Sequence, residues 1–340
     1  MKSKPLQLSA SEKRQLLQII DGFSNARILG IGDFILDKFV WGSVSRISPE
    51  APVPVVDVKN ESYMPGGSLN VANNIRTLGA KIYPCGVVGR DIEGRLLVKA
   101  MRQQGIETGG VVIDSKRPTS IKTRIIAHSQ QVVRYDREST ENVSPQDLKK
   151  IFQFVEKKIA DVSVVIIEDY GKGVIQPHFV MQIIKIAKRF RKPVLVDPKE
   201  KHFSFYKGAT GMTPNRKEAY AGYESLFGAS HKPLSLETVG WGLIKKLQLE
   251  FIMVTLGEDG MALFQKGKKS VVLIPTTAQE VYDVSGAGDT VIATLALAMA
   301  VRAPMPQAAM LSNLAAGIVV GKLGTATTTA AELRAWVKKI

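Results

Sequence analysis

The feature that most constrains the fold of this chain is a regular alternation of short apolar segments with longer amphipathic ones. Five apolar segments have the length and composition of buried strands: 27–31, 81–88, 163–167, 193–196 and 251–255. Segments with helical character fill the intervals, at about 69–78, 94–104, 144–159, 177–190 and 236–247. Such alternation predicts an α/β fold, with a mainly parallel sheet covered by helices on both faces. Ligands of such sheets bind beyond the carboxyl ends of the strands, so we expect the functional residues there.

Two segments interrupt this alternation. Residues 39–64 contain the sequence Ser48-Pro-Glu-Ala-Pro-Val-Pro54, and prolines of this kind are confined to edge or irregular strands. Residues 119–136 have the character of two further extended pieces. We expect both segments to form a small β-sheet lid inserted into one core domain that spans residues 1–340. No internal repeat or long linker divides the chain.

The formal net charge of the chain is +15, which could serve nucleic acid, a membrane surface or anionic small molecules. The positive residues are scattered, however. The densest cluster, Lys185–Lys192, has apolar residues between its charges, as the solvated face of a helix does. The longest apolar run, Val291–Val301, is far shorter than the ~20 residues that a membrane span requires. We therefore expect neither nucleic acid nor a membrane as a partner.

The remaining composition narrows the chemistry further. A single cysteine, Cys85, excludes an internal disulfide framework and favours a cytoplasmic location. The sequence contains no P-loop, no dinucleotide-binding fingerprint and no nucleophile elbow. Metal-ligand spacing is absent among the four histidines, which are His128, His178, His202 and His231.

The strongest local signal is the segment Gly286-Ala287-Gly288-Asp289, which leads into a predicted helix over 290–300. Small residues let backbone N–H groups turn toward one point at a helix start, where the helix dipole also favours negative charge. A transferring phosphoryl group could be held there, while the adjacent carboxylate of Asp289 takes the proton from an attacking hydroxyl. The alternative is that Asp289 is an ordinary helix N-cap.

A second glycine-rich segment, Gly66-Gly67-Ser68-Leu69-Asn70, lies near the start of another predicted helix. Paired glycines allow a ligand to approach the backbone closely, and the Asn70 amide can both donate to and accept from hydroxyls. Alone, such a pair is usually a tight turn. Together and in this order, the two segments resemble the two signatures of the ribokinase (PfkB) family of carbohydrate kinases. The departures are small, at Ser68 and Thr294.

The resemblance implies a ribokinase-like three-layer sandwich with a small β-sheet lid, with ATP as phosphoryl donor and Mg²⁺ as cofactor. It implies that Asp289 is the catalytic base and that the amides of residues 286–288 stabilise the transferring phosphoryl group. The segment 32–37 resembles the first strand of the family, whose terminal aspartate binds sugar hydroxyls. The residues implied to bind the sugar are Asp37, Gly66, Gly67 and Asn70.

Similar matches concern the nucleotide. Asn215 and Glu218 resemble the Asn-x-x-Glu element of the family, which organises magnesium and phosphates, and Glu218 is implied to reach the metal through a water molecule. Thr255 and Gly257 resemble the strand end and turn that contact ATP, and Asn313 falls where the family lines the adenine pocket. Each has a structural alternative, since Asp37 and Gly257 could serve turns and Asn215 a helix cap.

Four further segments resemble the members of this family that phosphorylate C1 of D-glycero-β-D-manno-heptose 7-phosphate for the lipopolysaccharide inner core. They are 46–54, 169–173, 197–199 and 321–325. The resemblance implies that Asp169 contacts the substrate. Kinases of this group are often fused to a nucleotidyltransferase domain, and we expect this chain to hold the kinase half without it. Glu168 stands where the family more often has a small polar residue, and Glu200 where it has glycine.

The residues themselves also favour a sugar that already bears a phosphate. The predicted lid and site segments carry five cations suited to a phosphomonoester, which are Arg46, Arg124, Arg134, Lys172 and Lys199. Lys172 lies between two glycines after a strand, where side chains reach ligands. We expect it to contact a phosphate of the substrate or of ATP.

Other functions stay open from the sequence. Another sugar, sugar phosphate or nucleoside could be the substrate. A non-catalytic sugar-phosphate or nucleotide-binding regulator could keep the fold, although a mere binder has no need of the base Asp289. Lids of this family often pair between subunits, so we also expect a homodimer through the lid.

Overall fold

A computed structural model of the chain describes residues 8–128, 130–230, 233–278, 281–322, 324 and 326–340. His231, Leu323 and Thr325, which belong to the sequence patterns above, lie outside these ranges. The strands are Arg27–Gly32 (β1), Phe34–Ile47 (β2), Pro54–Gly67 (β3), Lys81–Gly89 (β4), Gly110–Asp114 (β5), Ser120–Ala127 (β6), Gln130–Arg137 (β7), Val164–Glu168 (β8), Val194–Asp197 (β9), Gly211–Met212 (β10), Phe251–Thr255 (β11), Met261–Gln265 (β12) and Val272–Ile274 (β13).

Helices alternate with these strands as the sequence predicts. The α-helices are Ala10–Asp21 (α1), Ser68–Thr77 (α2), Ile92–Gln103 (α3), Pro145–Lys158 (α4), Pro177–Arg189 (α5), Arg216–Phe227 (α6), Leu236–Leu247 (α7), Ala287–Ala300 (α8), Met305–Val319 (α9) and Ala330–Lys339 (α10). Short 3₁₀ turns cover Phe23–Asn25, Glu200–Tyr206 and Gly257–Asp259.

Nine strands form the central sheet, in the order β13-β12-β11-β10-β9-β8-β1-β4-β5. All neighbours from β11 to β5 pair in parallel, and only β12 and β13 run antiparallel to their neighbours. The five predicted strands correspond to β1, β4, β8, β9 and β11. The prediction of a mainly parallel sheet is therefore confirmed, and β1 and β8 lie side by side within it.

Two hydrophobic layers enclose the central sheet. One contains α1, α2, α3, α8, α9 and α10, and the other contains α4, α5, α6 and α7. Alternate residues of each buried strand face opposite layers. In β8, Val164 and Ile166 face the α8 layer while Val165 and Ile167 face the α5 layer. The three-layer sandwich predicted for the ribokinase fold is confirmed.

The small sheet consists of four strands in the order β3-β2-β6-β7, with β2 and β6 parallel and the other pairs antiparallel. The pair β2 and β3 spans 34–67 and so extends beyond the predicted lid segment 39–64 at both ends, whereas β6 and β7, at 120–137, nearly coincide with the predicted segment 119–136. β2 begins directly after Asp33, and β3 runs through Gly67 into α2. Pro54 opens an edge strand, where its missing N–H costs no internal hydrogen bond. The small sheet thus grows out of the carboxyl end of β1.

Among the described residues, no helix is long and apolar enough to cross a membrane.

Gly32 lies where β1 and β8 approach each other closely. A Cβ at this position would lie 2.5 Å from the carbonyl oxygen of Glu168 and 2.9 Å from Cβ of Ser68. Because neither group is the movable end of a side chain, we expect Gly32→Ala to lower the free energy of unfolding by about 1–3 kcal/mol in urea denaturation.

Gly30 provides a matched control in the same strand. A Cβ there would meet only the terminal Cδ1 of Ile82, at 3.2 Å, which can rotate away. We expect Gly30→Ala to be clearly less destabilising than Gly32→Ala. Equal losses of stability in the two variants would contradict a special close packing at Gly32.

Candidate active site

A buried carboxylate at the end of β1 organises the carboxyl edge of the sheet. Asp33 is 1% exposed and accepts hydrogen bonds from the backbone N–H groups of Tyr170 (3.0 Å), Lys172 (3.0 Å) and Val174 (3.2 Å). Burial raises the pKa of Asp33 to about 6, although the bond from the Lys172 N–H acts to lower it. These three bonds fix the loop that follows β8.

Asp289 is the centre of a second set of contacts. Its Oδ2 accepts a hydrogen bond from Nδ2 of Asn70 at 2.6 Å, and its Oδ1 accepts one from the hydroxyl of Tyr170 at 2.7 Å. Burial raises the pKa of Asp289, while the hydrogen bonds from Tyr170 and Asn70 lower it. The structure therefore brings together Asn70 and Asp289, which come from the two glycine-rich segments singled out in the sequence. Tyr170 has no role among the sequence-based expectations above.

The turn before Asp289 is shaped by its neighbours. Gly286 has a φ of 80° and is the N-cap residue of α8, and a Cβ there would lie 2.7 Å from Nδ2 of Asn70. The alternative that Asp289 is the helix cap is wrong, because Asp289 is the third residue of α8. The first N–H groups of a helix have no intrahelical acceptor. The Ala287 N–H donates to the carbonyl of Val284 at 3.2 Å, so the N–H groups of Gly286 and Gly288 are the donors that this turn can offer beside Asp289.

The predicted sugar-binding residues lie where the small sheet leaves β1. Asp37 is buried in β2, and Nη1 of Arg124 lies 2.5 Å from its Oδ1. Any side chain at Gly66 would overlap the carboxylate of Asp37. Gly67 turns the chain into α2 with a φ of 58°, and a Cβ there would lie 2.6 Å from the carbonyl oxygen of Asp33. The two glycines thus fit against the two aspartates.

Three predicted phosphate-binding cations of this region are paired with acids. Besides the Arg124–Asp37 pair, Arg134 donates two hydrogen bonds to Asp136, at 2.9 and 2.6 Å, and Nζ of Lys172 lies 2.5 Å from Glu138. Arg46 is exposed near the far end of β2, so the structure does not bring it to Asp289. Lys199 lies 3.2 Å from Glu200.

Lys122 is a cation that the sequence reasoning missed. It lies on β6 opposite Asp37, and its Nζ is 5.6 Å from the centre of the Tyr170 ring. Burial lowers the pKa of Lys122, the charge of Asp37 raises it, and the charges of Arg134 and Lys172 lower it further. The only signal that the sequence offers is a lysine within the strand-like segment Ile121-Lys122-Thr123.

Asp169 is occupied by contacts within the protein. Its Oδ2 accepts a hydrogen bond from the Tyr206 hydroxyl at 2.6 Å and lies 2.7 Å from Nδ1 of His202, while its Oδ1 accepts one from the Gly171 N–H at 2.8 Å. The hydrogen bond to Asp169 raises the pKa of His202. The side chain predicted to contact the substrate thus holds the 200–206 turn against the loop after β8.

The predicted nucleotide-side residues Asn215, Glu218, Thr255 and Gly257 lie at the edge formed by β10, β11 and α6, whereas Asn313 lies on α9. Asn215 caps α6, since its Oδ1 accepts from the Glu218 N–H at 2.9 Å, and Oε2 of Glu218 accepts from the Asn215 N–H at 2.8 Å. The cap alternative for Asn215 is therefore confirmed. Thr255 pairs with Asn215, and Gly257 opens a turn with a φ of 65°. Asn313 is buried and donates to the carbonyl of Pro275 at 2.8 Å.

Three carboxylates meet between these two groups of residues. Glu168, Asp197 and Asp289 each place an oxygen within 4.8 Å of the others. Glu168 and Asp197 are the last residues of β8 and β9, and they are direct partners in the sheet. Burial and the charges of Asp197 and Asp289 raise the pKa of Glu168, and burial and the charges of Glu218 and Asp289 raise that of Asp197.

Comparison with known sequences gives a family match over most of the chain. The model of the pfkB family carbohydrate kinases matches residues 32–332. A relative in Wolinella succinogenes, named Bifunctional protein HldE, is 45% identical over 308 residues, which are 90% of this chain and 63% of the relative. The protein of the same name in Geobacter sulfurreducens is 44% identical over 305 residues, which are 90% of this chain and 61% of the relative. The chain thus spans less than two thirds of the length of these relatives.

Solved structures share the fold. An Arabidopsis thaliana ribokinase complexed with ribose and ATP superposes with a TM-score of 0.70 at 20% identity, covering 92% of this chain and 99% of its own. Phosphofructokinase-2 from Escherichia coli, in complex with potassium, gives 0.73 at 16% identity with the same coverage of both chains.

Proposed function

The chain belongs to the pfkB family of carbohydrate kinases, and we propose that it transfers the γ-phosphoryl group of ATP to the C1 hydroxyl of D-glycero-β-D-manno-heptose 7-phosphate. The product is the 1,7-bisphosphate, a precursor for the lipopolysaccharide inner core. The resemblance of the segments 46–54, 169–173 and 197–199 to heptose 7-phosphate kinases supports this substrate. So does the similarity to the proteins named HldE.

The proposal that the protein is a catalyst rests on the surroundings of Asp289. The carboxylate of Asp289 lies in the first turn of α8, held by Asn70 and Tyr170, next to the glycine turn at the helix N-terminus. A base beside a cluster of amide donors is what phosphoryl transfer to a hydroxyl requires. A protein that only binds a sugar phosphate has no need of this pairing.

In the proposed mechanism, Asp289 accepts the proton of the C1 hydroxyl as the hydroxyl oxygen attacks the γ-phosphorus of ATP. The bond between this phosphorus and the β–γ bridging oxygen breaks, and ADP leaves. Because burial raises the pKa of Asp289, its carboxylate is a better proton acceptor than an exposed aspartate. The N–H groups of Gly286 and Gly288 would donate to the transferring phosphoryl oxygens, which carry negative charge throughout the transfer. The N–H of Ala287 would join them by exchanging its bond to the Val284 carbonyl for one to the phosphoryl group.

The sugar is proposed to lie between the Gly66–Gly67 turn and the small sheet. Asp37 and Asn70 would bind its hydroxyls, because both point from elements that meet at the end of β1. Lys122, Lys172 and Arg134 would bind the 7-phosphate. Their charges act on one another, since Arg134 and Lys172 both lower the pKa of Lys122. Three close cations are a fitting site for a phosphomonoester dianion.

ATP is proposed to bind along the edge formed by Thr255, Gly257 and Asn313. Asn313 fixes the segment at Pro275, and the Gly257 turn leaves room for the nucleotide, since a Cβ there would meet nothing within 4 Å. Mg²⁺ belongs to this proposal, with Glu218 reaching it through a water molecule. Carboxylates suit this ion, which supplies neutralising charge to the ATP phosphates.

Asp289→Asn tests the proposed base. The variant keeps the shape of the side chain and can still bond Asn70 and Tyr170, but an amide cannot accept the proton. General-base groups contribute about 10²–10⁴-fold, so we expect kcat to fall by that factor while KM for ATP and for the sugar phosphate changes little. Steady-state kinetics measure both.

The matched control is Asp161→Asn, on the exposed turn between α4 and β8. We expect this variant to keep the kcat of the unchanged protein. Near-normal turnover of Asp289→Asn would rule out its role as base.

A substrate panel with a charge variant tests the sugar phosphate. We expect phosphorylation of heptose 7-phosphate in preference to ribose, fructose and fructose 6-phosphate. Loss of a charge-assisted hydrogen bond costs about 1.5–3 kcal/mol, so Lys122→Met should raise KM for the sugar phosphate at least about tenfold and leave KM for ATP nearly unchanged.

Lys38→Met is the control for this experiment, because Lys38 lies on the neighbouring strand β2 and pairs with Glu61. It should change neither KM. A preference for an unphosphorylated sugar would exclude the heptose 7-phosphate proposal in favour of another family kinase, and no turnover with any sugar would favour a regulator.

We also propose a homodimer formed through the small sheet. Large apolar side chains are exposed on its strands: Trp41, Ile47, Val58, Tyr63, Val132, Val133 and Tyr135. A concentration of this kind on three strands of one small sheet, β2, β3 and β7, is typical of a protein–protein contact. Burying it in a second copy would remove the apolar surface from water.

Val133→Glu, on a side chain that is 47% exposed, should shift the protein from dimer to monomer in light scattering, because the contact would have to bury a charge. Ile113→Glu is the control, since Ile113 is 55% exposed but lies on β5, in the central sheet. A dimer that persists in Val133→Glu would argue against this surface.

A cytoplasmic location completes the proposal. Cys85, the single cysteine, is buried, and burial raises the pKa of its thiol, so it has the character of a core residue in a reducing compartment. Fractionation of cells that make the protein would check this location, and recovery outside the cytoplasm would contradict it.

A further inference from the structure

Glu168 is a buried acid without a visible partner. It is 1% exposed, and neither of its carboxylate oxygens has a hydrogen-bond partner among the described residues. It ends β8 between Gly32 of β1 and Asp197 of β9, its direct neighbours in the sheet. Like Val164 and Ile166, it occupies an even position of β8 and therefore points to the α8 layer, where Asp289 lies.

A buried acid such as Glu168 destabilises the folded protein unless a hydrogen bond or an opposite charge compensates for its lost hydration. A buried polar group without a hydrogen bond costs roughly 1–3 kcal/mol, and a charged group costs more. Glu168 also faces two further carboxylates, since oxygens of Glu168, Asp197 and Asp289 lie within 4.8 Å of one another. Protonation would relieve the repulsion, but the new O–H would still require an acceptor.

A cation explains the arrangement better than a proton does. Adjacent oxygens around an octahedral Mg²⁺ are about 3.0 Å apart and opposite oxygens about 4.2 Å, because each bond is about 2.1 Å long. Three oxygens that lie within 4.8 Å of one another can all reach this bond length to one central ion with shifts below about an ångström. The hydrogen bonds from Asn70 and Tyr170 do not occupy Asp289 fully, because each carboxylate oxygen has two acceptor sites.

We propose that Glu168, Asp197 and Asp289 form a site for a divalent cation of the magnesium class, held by the protein chain itself in the absence of nucleotide. The site rests on the proposed function in so far as it adjoins the proposed base and anion-binding turn. It differs from the magnesium position implied by the family resemblance, which depends on Glu218. Glu168 is the distinctive ligand, because the family more often has a small polar residue at this position.

The first experiment measures metal binding without ATP or sugar. Mn²⁺ is titrated into the protein, and the free ion is followed by electron paramagnetic resonance. We expect the unchanged protein to bind one Mn²⁺ that Mg²⁺ displaces. Glu168→Gln, which keeps the shape and removes the charge, should bind at least tenfold more weakly, as should Glu168→Ser. Glu224→Gln on the exposed face of α6 is the matched control and should bind normally.

Thermal unfolding separates a lost ligand from a lost fold. Without metal, Glu168→Gln should melt at the same temperature as the unchanged protein or higher, because a repelling charge has been removed. With Mn²⁺ present, the melting temperature of the unchanged protein should rise, since an ion that binds only the folded state stabilises it. The Glu168→Gln variant should lose this rise.

The outcomes distinguish the inference from the kinase proposal. If millimolar Mn²⁺ leaves the unchanged protein unbound while it phosphorylates sugar with Mg-ATP, the metal site is overturned and the kinase proposal stands. Equal Mn²⁺ affinity in Glu168→Gln and the unchanged protein would also overturn it. If Glu168-dependent binding is found but no sugar is phosphorylated, the site stands and the kinase proposal fails.

Discussion

The carboxylate of Asp33 holds three backbone N–H groups of one loop, at 3.0, 3.0 and 3.2 Å. This loop carries Tyr170, whose hydroxyl bonds Asp289, and Lys172, which pairs with Glu138 of the segment after β7. Removing the acceptor would leave three buried donors unsatisfied and release both side chains. The contact exists because β1 and β8 are parallel neighbours, so that their carboxyl ends meet. The order of the strands therefore determines where the site forms, because it determines which loops meet at the carboxyl edge of the sheet.

The strands could be predicted because each depends on a local pattern, whereas Asn70 and Asp289 were expected in one site because their two segments together resemble one family. Buried strands are recognisable as apolar runs, and two short glycine-rich segments specify a close backbone approach wherever they lie. Lys122 and the Arg124–Asp37 ion pair could not be predicted in the same way. They depend on the register of β2 against β6, two strands far apart in the sequence. The local sequence around Asp289 also allowed a helix cap, and this alternative is wrong, since Gly286 caps α8. The same alternative is correct for Asn215, which caps α6.

Ion pairs in and beside the small sheet engage the positive side chains that were expected to bind phosphate. Arg124, Arg134 and Lys172 each contact a carboxylate, so the +15 charge does not by itself leave free cations at the site. A phosphate that enters must compete with Asp37, Asp136 and Glu138 for these partners. A dianion gains more from three cations than one carboxylate does, whereas a neutral sugar gains nothing that offsets the broken pairs. Selectivity for a phosphorylated sugar would then come from this exchange of partners.

The charges of the site are also arranged in two layers. The end of the central sheet presents Glu168 and Asp197, and the first turn of α8 adds Asp289, whereas the small sheet presents Lys122 and its neighbouring arginines. The three carboxylates alone would repel the phosphates of ATP, and their mutual repulsion would destabilise the site without a cation. With a divalent ion bound to these carboxylates, both layers would attract phosphate oxygens. A substrate with a phosphate at one end and a reacting hydroxyl at the other could then bridge the layers, with its hydroxyl toward Asp289. This requirement connects Glu168, which has no hydrogen-bond partner in the described part of the chain, to the choice of substrate. Both follow from the same need to neutralise charge in a buried site.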